Sequence, residues 1–394
     1  MTIKVLSFSC EIEDLRDGRI FSLENAQQYP GSLWVRALKN RCPFDFEFQT
    51  VDKTLQLVMD RNLDPRTVAV FQHNLDRDAS KLIGLGAFPF LLSMFESPLY
   101  CGEFYDLIEH NAAKFRNVKV FGSNLLTYQN CGQAYFPSFS RCEFNVARHT
   151  SDWEMRKFSS MVMGNKYVLT KPLTSFDNIH DWIWWLLKFI RQVLNGHKLS
   201  SKLDVRQYQL QDARYEILFE MLKRGLLDLY GNGWSKLIRI PPSIAKKLRD
   251  VLPRNGIKPI KDKHKIISAY KFNICFENIA YPGYITEKII DAIMAKTIPV
   301  YYGAPDVSVY IPPNAFIDAS KFESVDRLID YLIEITPSEA DVIIQNGEIF
   351  LKSSMGLKFS YEEVADEIIN LLEQFIKDQS MNCITNKSVD SNAN

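Results

Sequence analysis

The apolar positions change their period along the chain. Short β-prone runs at 3–9, 67–72, 88–95 and 118–121 are separated by stretches, at 55–60 and 104–115, whose apolar residues recur along one helical face. Strands alternating with helices predict a parallel sheet with helices on its faces, a Rossmann-like half. The mostly polar run HTSDWEMRKFSS at 149–160 reads as a crossing between domains. A second alternating region begins at Met161 and runs to about Lys377. The expected division is an N-terminal domain over 1–155 and a C-terminal domain over 156–377, with an insertion at about 172–210. Residues 378–394 carry too few large apolar side chains to pack and are expected to be disordered.

The most informative stretch of the second region is 276–303, FENIAYPGYITEKIIDAIMAKTIPVYYG. Before it, 270–276 is apolar and β-prone enough for a buried strand. After Thr286, the positions Ile289, Ile290, Ile293 and Met294 have helical spacing, and 298–302 again reads as a strand. The polar residues between therefore lie at a strand's carboxyl end, the edge where open α/β sheets bind ligands. Thr286 is placed to cap the helix, with Glu287 and Lys288 in its first turn. Free N–H groups and the positive helix end favour an anion there, and a lysine added to them suggests a bound phosphate. An E-K pair alone is usually structural, so the weight rests on the whole run.

Composition narrows the ligand. The chain has 394 residues, long enough for two α/β domains, and is 46% hydrophobic and 24% charged, as soluble globular proteins are. Lys+Arg and Asp+Glu both number 47, so nothing indicates a polyanion, and nucleic acid is not an expected partner. Seven scattered cysteines without a CxxC fit reduced thiols in a cytosolic protein. The opening residues read as a first core strand and not as an export signal. Six histidines show no HExxH or other paired spacing. The one metal-type signal is Asp76-Arg77-Asp78, a DxD of the kind that holds a divalent ion on a nucleotide diphosphate. One such triplet is expected by chance in a chain this acidic, and no metal is expected here.

The run DWIWWLLKFIRQVL at 181–194 is dense in Trp and Leu. It is too short for a membrane span and carries Lys188 and Arg191. Two readings follow: a helix packed on the body of its domain, or an interfacial helix that holds the protein at a lipid surface.

The 276–303 run resembles the signature of the α1,3/α1,4-fucosyltransferases, glycosyltransferase family ten. The matching residues are Phe276-Glu277-Asn278, Tyr284-Ile285-Thr286-Glu287-Lys288 and the strand from Ile298 to Gly303, with YIPPNAFI following at 310–317. Upstream, Phe95-Glu96-Ser97-Pro98 is similar to the family's Glu-Ser-Pro, and Arg214 precedes Asp228 by the family's spacing. The resemblance covers most of 88–320. It implies a GT-B fold, two Rossmann-like domains facing across a cleft, with the acceptor mainly on the first and the nucleotide sugar mainly on the second.

On that model Arg214, Asn278, Tyr284, Glu287 and Lys288 hold GDP-fucose. Lys288 and Arg214 suit the diphosphate. Glu287 would be repelled by it and suits sugar or ribose hydroxyls. Tyr284 can offer a phenol to a phosphate, and Asn278 can donate and accept. The implied reaction is inverting transfer of fucose to a glycan hydroxyl in an α1,3- or α1,4-linkage, with Glu96 as general base. Two cations and a helix end on the leaving GDP make a metal unnecessary for charge balance, so Asp76 and Asp78 are discounted. The expected setting is the cytoplasm, with the acceptor free or lipid-linked and a peripheral membrane contact through 181–194 as an option.

Two positions depart from the pattern: Ile279 and Gly164 stand where the family usually has Ser. Residues 127–130 lack the charges that many members carry there. These departures keep two alternatives open, a transferase using another nucleotide sugar and a nucleotide-sugar-binding protein without turnover.

Overall fold

The computed structural model describes all residues except 1–2, 11, 25–28, 30–31, 75, 97–104, 106–107, 109–110, 124–128, 146–151, 166, 168–178, 195–207, 235–236, 238–239, 253–261 and 391–394. The chain forms two compact units. One comprises Met1–Phe95, Asn111–Val146 and Leu357–Asn394, and the other Glu96–His110 and Ala147–Gly356.

The first unit is built on a six-stranded parallel sheet in the order β2-β1-β3-β4-β5-β6. Its strands are β1 Val5–Phe8, β2 Glu47–Thr50, β3 Val68–His73, β4 Phe88–Ser93, β5 Asn117–Val120 and β6 Cys131–Gln133. The expected strands at 3–9, 67–72, 88–95 and 118–121 correspond to β1, β3, β4 and β5. The helix expected at 55–60 is Val51–Met59. Strands β2 and β6 were not expected: β2 is only half buried and β6 is three residues long, so neither shows an apolar run.

The second unit has a five-stranded parallel sheet in the order β11-β10-β9-β7-β8. Its strands are β7 Lys157–Val162, β8 Leu227–Tyr230, β9 Tyr270–Phe276, β10 Ile298–Tyr302 and β11 Ile317–Asp318. Strand β9 is buried almost throughout because β7 and β10 flank it and helices cover it, so its sequence reads as a continuous apolar run. Strand β7 begins inside the stretch expected as a polar crossing. Its Ser159 and Ser160 are buried with their hydroxyls satisfied, by Leu226 O at 2.7 Å and Asn273 Oδ1 at 2.9 Å, which is how polar residues occupy a central strand.

Two expectations about the C-terminal end are corrected. Residues 357–377 were assigned to the second domain, but Leu357–Asn394 belongs to the first unit. There Tyr361, Ala365, Ile368, Leu372 and Phe375 pack with Leu6, Phe8, Trp34 and Phe90, and Arg41 makes a two-pronged contact with Asp366 at 2.7 Å. Residues 378–394 were expected to be disordered, but the helix Tyr361–Asp390 takes in 378–390, and 391–394 lie outside the described residues. Once its buried face has nucleated the helix, further residues join at one hydrogen bond each, so an apolar face is not needed for the last turns.

Candidate active site at the carboxyl end of β9

Strand β9 ends at Phe276, and the next residue, Glu277, is fully buried. Its carboxylate is saturated. Thr286 donates from its backbone N at 2.9 Å and from its hydroxyl at 2.8 Å to Oε1, and Lys288 Nζ donates to Oε2 at 2.8 Å. Lys288 Nζ also reaches Thr286 Oγ1 at 2.9 Å and lies 3.6 Å from Glu287 Oε1. A buried carboxylate without such partners would be strongly disfavoured. The pair therefore locks the loop to the strand end and holds the ammonium at the start of the helix Glu287–Met294.

Thr286 occupies the N-cap position, as the sequence indicates, but its side chain makes no cap hydrogen bond. Its hydroxyl is turned to Glu277 instead. The first-turn N–H groups are thus not capped by the residue placed to do so, the arrangement in which a helix end can serve an anion.

Arg214, on the helix Gln211–Lys223, is 6% exposed. It donates through one terminal nitrogen to Asn278 Oδ1, while its Nε is buried with no hydrogen-bond partner. Among the described residues it makes no ion pair. Its charge is felt at Lys288, where it opposes protonation. Burial lowers the Lys288 pKa more than any single group raises it, yet the carboxylates of Glu277 and Glu287 together push the net value above the usual lysine range. Two cations thus act on one another, one balanced by a buried carboxylate and one hydrogen-bonded to a neutral amide.

Tyr284 is 1% exposed. Burial first, then the charges of Glu96, Glu277 and Glu287, drive its phenol well above the ordinary tyrosine range, so it is a donor and never a phenolate at neutral pH. Glu96 follows β4 in sequence but groups with the second unit. Tyr105 donates to its backbone carbonyl at 3.2 Å, and the Tyr105 ring stands edge-on to Tyr281, 6.2 Å between centroids. The structure therefore gathers Glu96, Arg214, Asn278, Tyr284, Glu287 and Lys288 within one unit. Ser97, Pro98, Thr127 and Tyr128 lie outside the described residues.

Sequence reasoning missed four further members. Glu277 was quoted only as part of a motif, although a Glu directly after a buried strand needs a cation nearby, and Lys288 supplies it. Behind the helix, Asp291 accepts from Lys263 Nζ at 2.5 Å and His264 Nε2 at 2.9 Å, and Lys263 also lies 3.8 Å from Glu287. Burial tends to raise the Glu287 and Asp291 pKa values, but Lys288 and Lys263 at Glu287, and Lys263 and His264 at Asp291, outweigh it, and both carboxyls are held below their usual range. Two glycines of this unit have steric reasons. A Cβ on Gly303 would lie 2.2 Å from the Tyr301 hydroxyl and 2.7 Å from Glu277 Cγ, and Gly231, at φ +126°, would place one 2.3 Å from Met163 O.

The departures have different physical settings. Ile279 is fully buried, so its side chain belongs to the core. A Cβ on Gly164 would meet nothing closer than Asn232 O at 3.9 Å, so packing does not require glycine there. The DxD has partners within its own unit. Asp76 caps the helix Arg77–Gly84, accepting from Asp78 N at 2.8 Å and Ala79 N at 3.0 Å, while Asp78 pairs with Arg16 and Lys81, each at 3.2 Å.

Residues 199–342 match the model of the C-terminal part of glycosyltransferase family 10 (fucosyltransferase). The α-(1,3)-fucosyltransferase FucT of Helicobacter pylori is 47% identical over 73 residues, 18% of this chain and 15% of that protein. The α-(1,3)-fucosyltransferase C of Drosophila melanogaster is 41% identical over 165 residues, 41% of this chain and 32% of that protein. The chain thus matches under a third of the length of these relatives. Among solved structures, an α1,3-fucosyltransferase with GDP aligns at a TM-score of 0.50 and 16% identity, over 94% of this chain and 91% of that one. Anabaena HepE, in complex with UDP and glucose, aligns at 0.54 and 9% identity, over 94% and 99%. The two parallel α/β units are those of a GT-B glycosyltransferase fold.

Proposed function

We propose that this chain, whose residues 199–342 match the family 10 model, moves fucose from GDP-fucose to a hydroxyl of a glycan acceptor with inversion at the anomeric carbon. The observation that carries this reading is the buried, unpartnered Nε of Arg214, whose charge acts on the Lys288 ammonium at a helix start that lacks its side-chain cap. Such a constellation asks for a multiply charged anion, and a diphosphate can take both cations and the helix N–H groups together.

As the bond to the leaving GDP breaks, charge grows on the diphosphate oxygens, and Arg214 and Lys288 stabilise it without reorganising. Tyr284, kept protonated, donates to the same group. Glu287, repelled by phosphate, accepts from sugar or ribose hydroxyls. Asn278 holds one arm of Arg214 and so sets the plane of its guanidinium. Glu96 takes the proton from the acceptor hydroxyl as that oxygen attacks. On this reading no metal is needed on the diphosphate, the linkage is α1,3 or α1,4, and the acceptor is a glycan, free or lipid-linked, met in the cytoplasm.

A second reading, another nucleotide sugar on the same scaffold, draws on Ile279, whose buried apolar side chain replaces a hydroxyl. Thermal stabilisation by GDP, GDP-fucose, GDP-mannose and UDP, each with and without EDTA, separates the two. A shift with GDP and GDP-fucose that survives EDTA and is lost in Lys288→Ala is expected. A shift with UDP alone, or only with metal present, overturns the donor assignment.

A further inference from the structure

The helix Ile179–Leu194 has two unlike faces. On one, Asp181 is buried and accepts from Ser243 N at 2.9 Å and from the Ser243 hydroxyl, Trp184 packs on the core of its unit, and Lys188 lies over the Tyr167 and Trp184 rings. On the other, Ile179, Ile183, Leu187, Ile190 and Leu194 are 44–80% exposed. Their spacing of four, four, three and four residues keeps them within an arc of roughly 80°. This is a continuous aliphatic stripe in water. Such a stripe on an otherwise packed helix marks an interaction surface.

Charge identifies the partner. The chain is neutral overall, yet from Ile179 to Lys265 it has 18 Lys and Arg against 8 Asp and Glu. The helix Pro242–Arg249, which packs beside the striped one, exposes Lys246, Lys247 and Arg249, and among the described residues none of the three makes an ion pair. An aliphatic stripe beside excess positive charge suits a surface that is apolar beneath and anionic on top. We propose that this helix pair docks the protein on the anionic headgroup surface of a lipid bilayer, the stripe entering the acyl boundary and the basic helix meeting the phosphates. The proposal deepens the reading of a lipid-linked acceptor, since it brings the enzyme to the surface that displays one. It also changes which residues matter: Trp184 faces inward, and Ile183 and Leu187 are the anchors. Among the described residues no helix is long and apolar enough to cross a membrane, so the contact is peripheral.

Flotation of the full chain with phosphatidylcholine vesicles, with or without phosphatidylglycerol, tests this. Binding is expected only with the anionic lipid, and it should fall as salt rises. Ile183→Ser with Leu187→Ser should lower partitioning about tenfold or more, and Lys246→Glu with Lys247→Glu should do likewise. Both variants should keep the wild-type thermal shift with GDP, which shows that they fold and reports the donor site separately. Absence of flotation, flotation unchanged in the Ser variant, or a dimer that the Ser variant dissociates without any vesicle binding overturns the proposal. Vesicle binding without a GDP shift would leave the membrane surface standing and remove the donor reading.

Discussion

Two strand ends in this molecule carry an acid followed by a helix, and they resolve differently. After β3, Asp76 caps the next helix with its own carboxylate, and Asp78 pairs with the partly exposed Arg16 and the exposed Lys81. After β9, Glu277 accepts from the backbone N and hydroxyl of the N-cap residue Thr286 and fixes Lys288 in the first turn, so the Thr286 hydroxyl does not cap the helix. The first acid satisfies the helix. The second leaves its helix without an N-cap side-chain bond and holds a lysine in the first turn. Acidic residues near a helix end are therefore poor evidence of a ligand until the destination of each oxygen is known, because a satisfied cap and an anion site use the same residue types.

The sharpest test of that contrast is Lys288→Ala. It strands the buried Glu277 carboxylate and should cost about 3–5 kcal/mol in denaturant unfolding, together with all detectable transfer. Glu277→Gln combined with Lys288→Met should recover most of that stability while transfer stays absent. If the double variant is as unstable as the single one, the pair is not the lock described. Glu96→Gln should lower kcat roughly a thousandfold while the GDP-fucose thermal shift is retained, and equal losses in binding and turnover would remove Glu96 from proton transfer. Arg214→Lys should weaken GDP binding about ten- to a hundredfold in calorimetry with little change in stability, since a point charge replaces a planar fork. At the other strand end, Asp76→Ala should cost only about 1–2 kcal/mol, with transfer unchanged and no new response to EDTA. A change in nucleotide affinity there would bring the DxD back.

The pH response separates the two signs of charge in the site. The folded Lys288 pKa is raised, so its contribution is complete below the unfolded lysine value and is lost as pH rises through the folded one. In Glu277→Gln the largest raising influence is removed, and the alkaline loss of GDP binding should move toward neutral pH. The folded Asp291 pKa is lowered, so its contribution is complete above the unfolded carboxylate value, about 3.9, and is lost as pH falls through the folded one. Asp291→Asn should therefore flatten the acid limb of the stability curve while leaving the alkaline limb in place. An unchanged acid limb would mean that Lys263 and His264 do not hold that carboxylate in solution.

Much of this molecule follows from short-range pattern. Buried parallel strands such as β1, β3 and β9 need apolar side chains on both faces, so their runs are visible without any partner, and the loop after β9 announces its polar cluster by position alone. The exact spacing of Tyr284, Glu287 and Lys288 belongs to one loop and one helical turn, which local sequence determines. What local sequence does not contain is the destination of a side chain across the fold. Whether Thr286 caps its helix or serves Glu277 depends on a strand end nine residues away, and the Arg214 contact to Asn278 spans 64 residues. The last helix shows the same limit. Its apolar face at Tyr361, Ala365, Ile368, Leu372 and Phe375 is plain in the sequence, but an apolar face fits any complementary core, and only the tertiary structure assigned it to the first unit. The helix Ile179–Leu194 completes the pattern: composition made it apolar, and the packing of Trp184 and Asp181 decided which side faces water. Burial is a property of the assembled chain, because it is set by neighbours that sequence distance does not reveal.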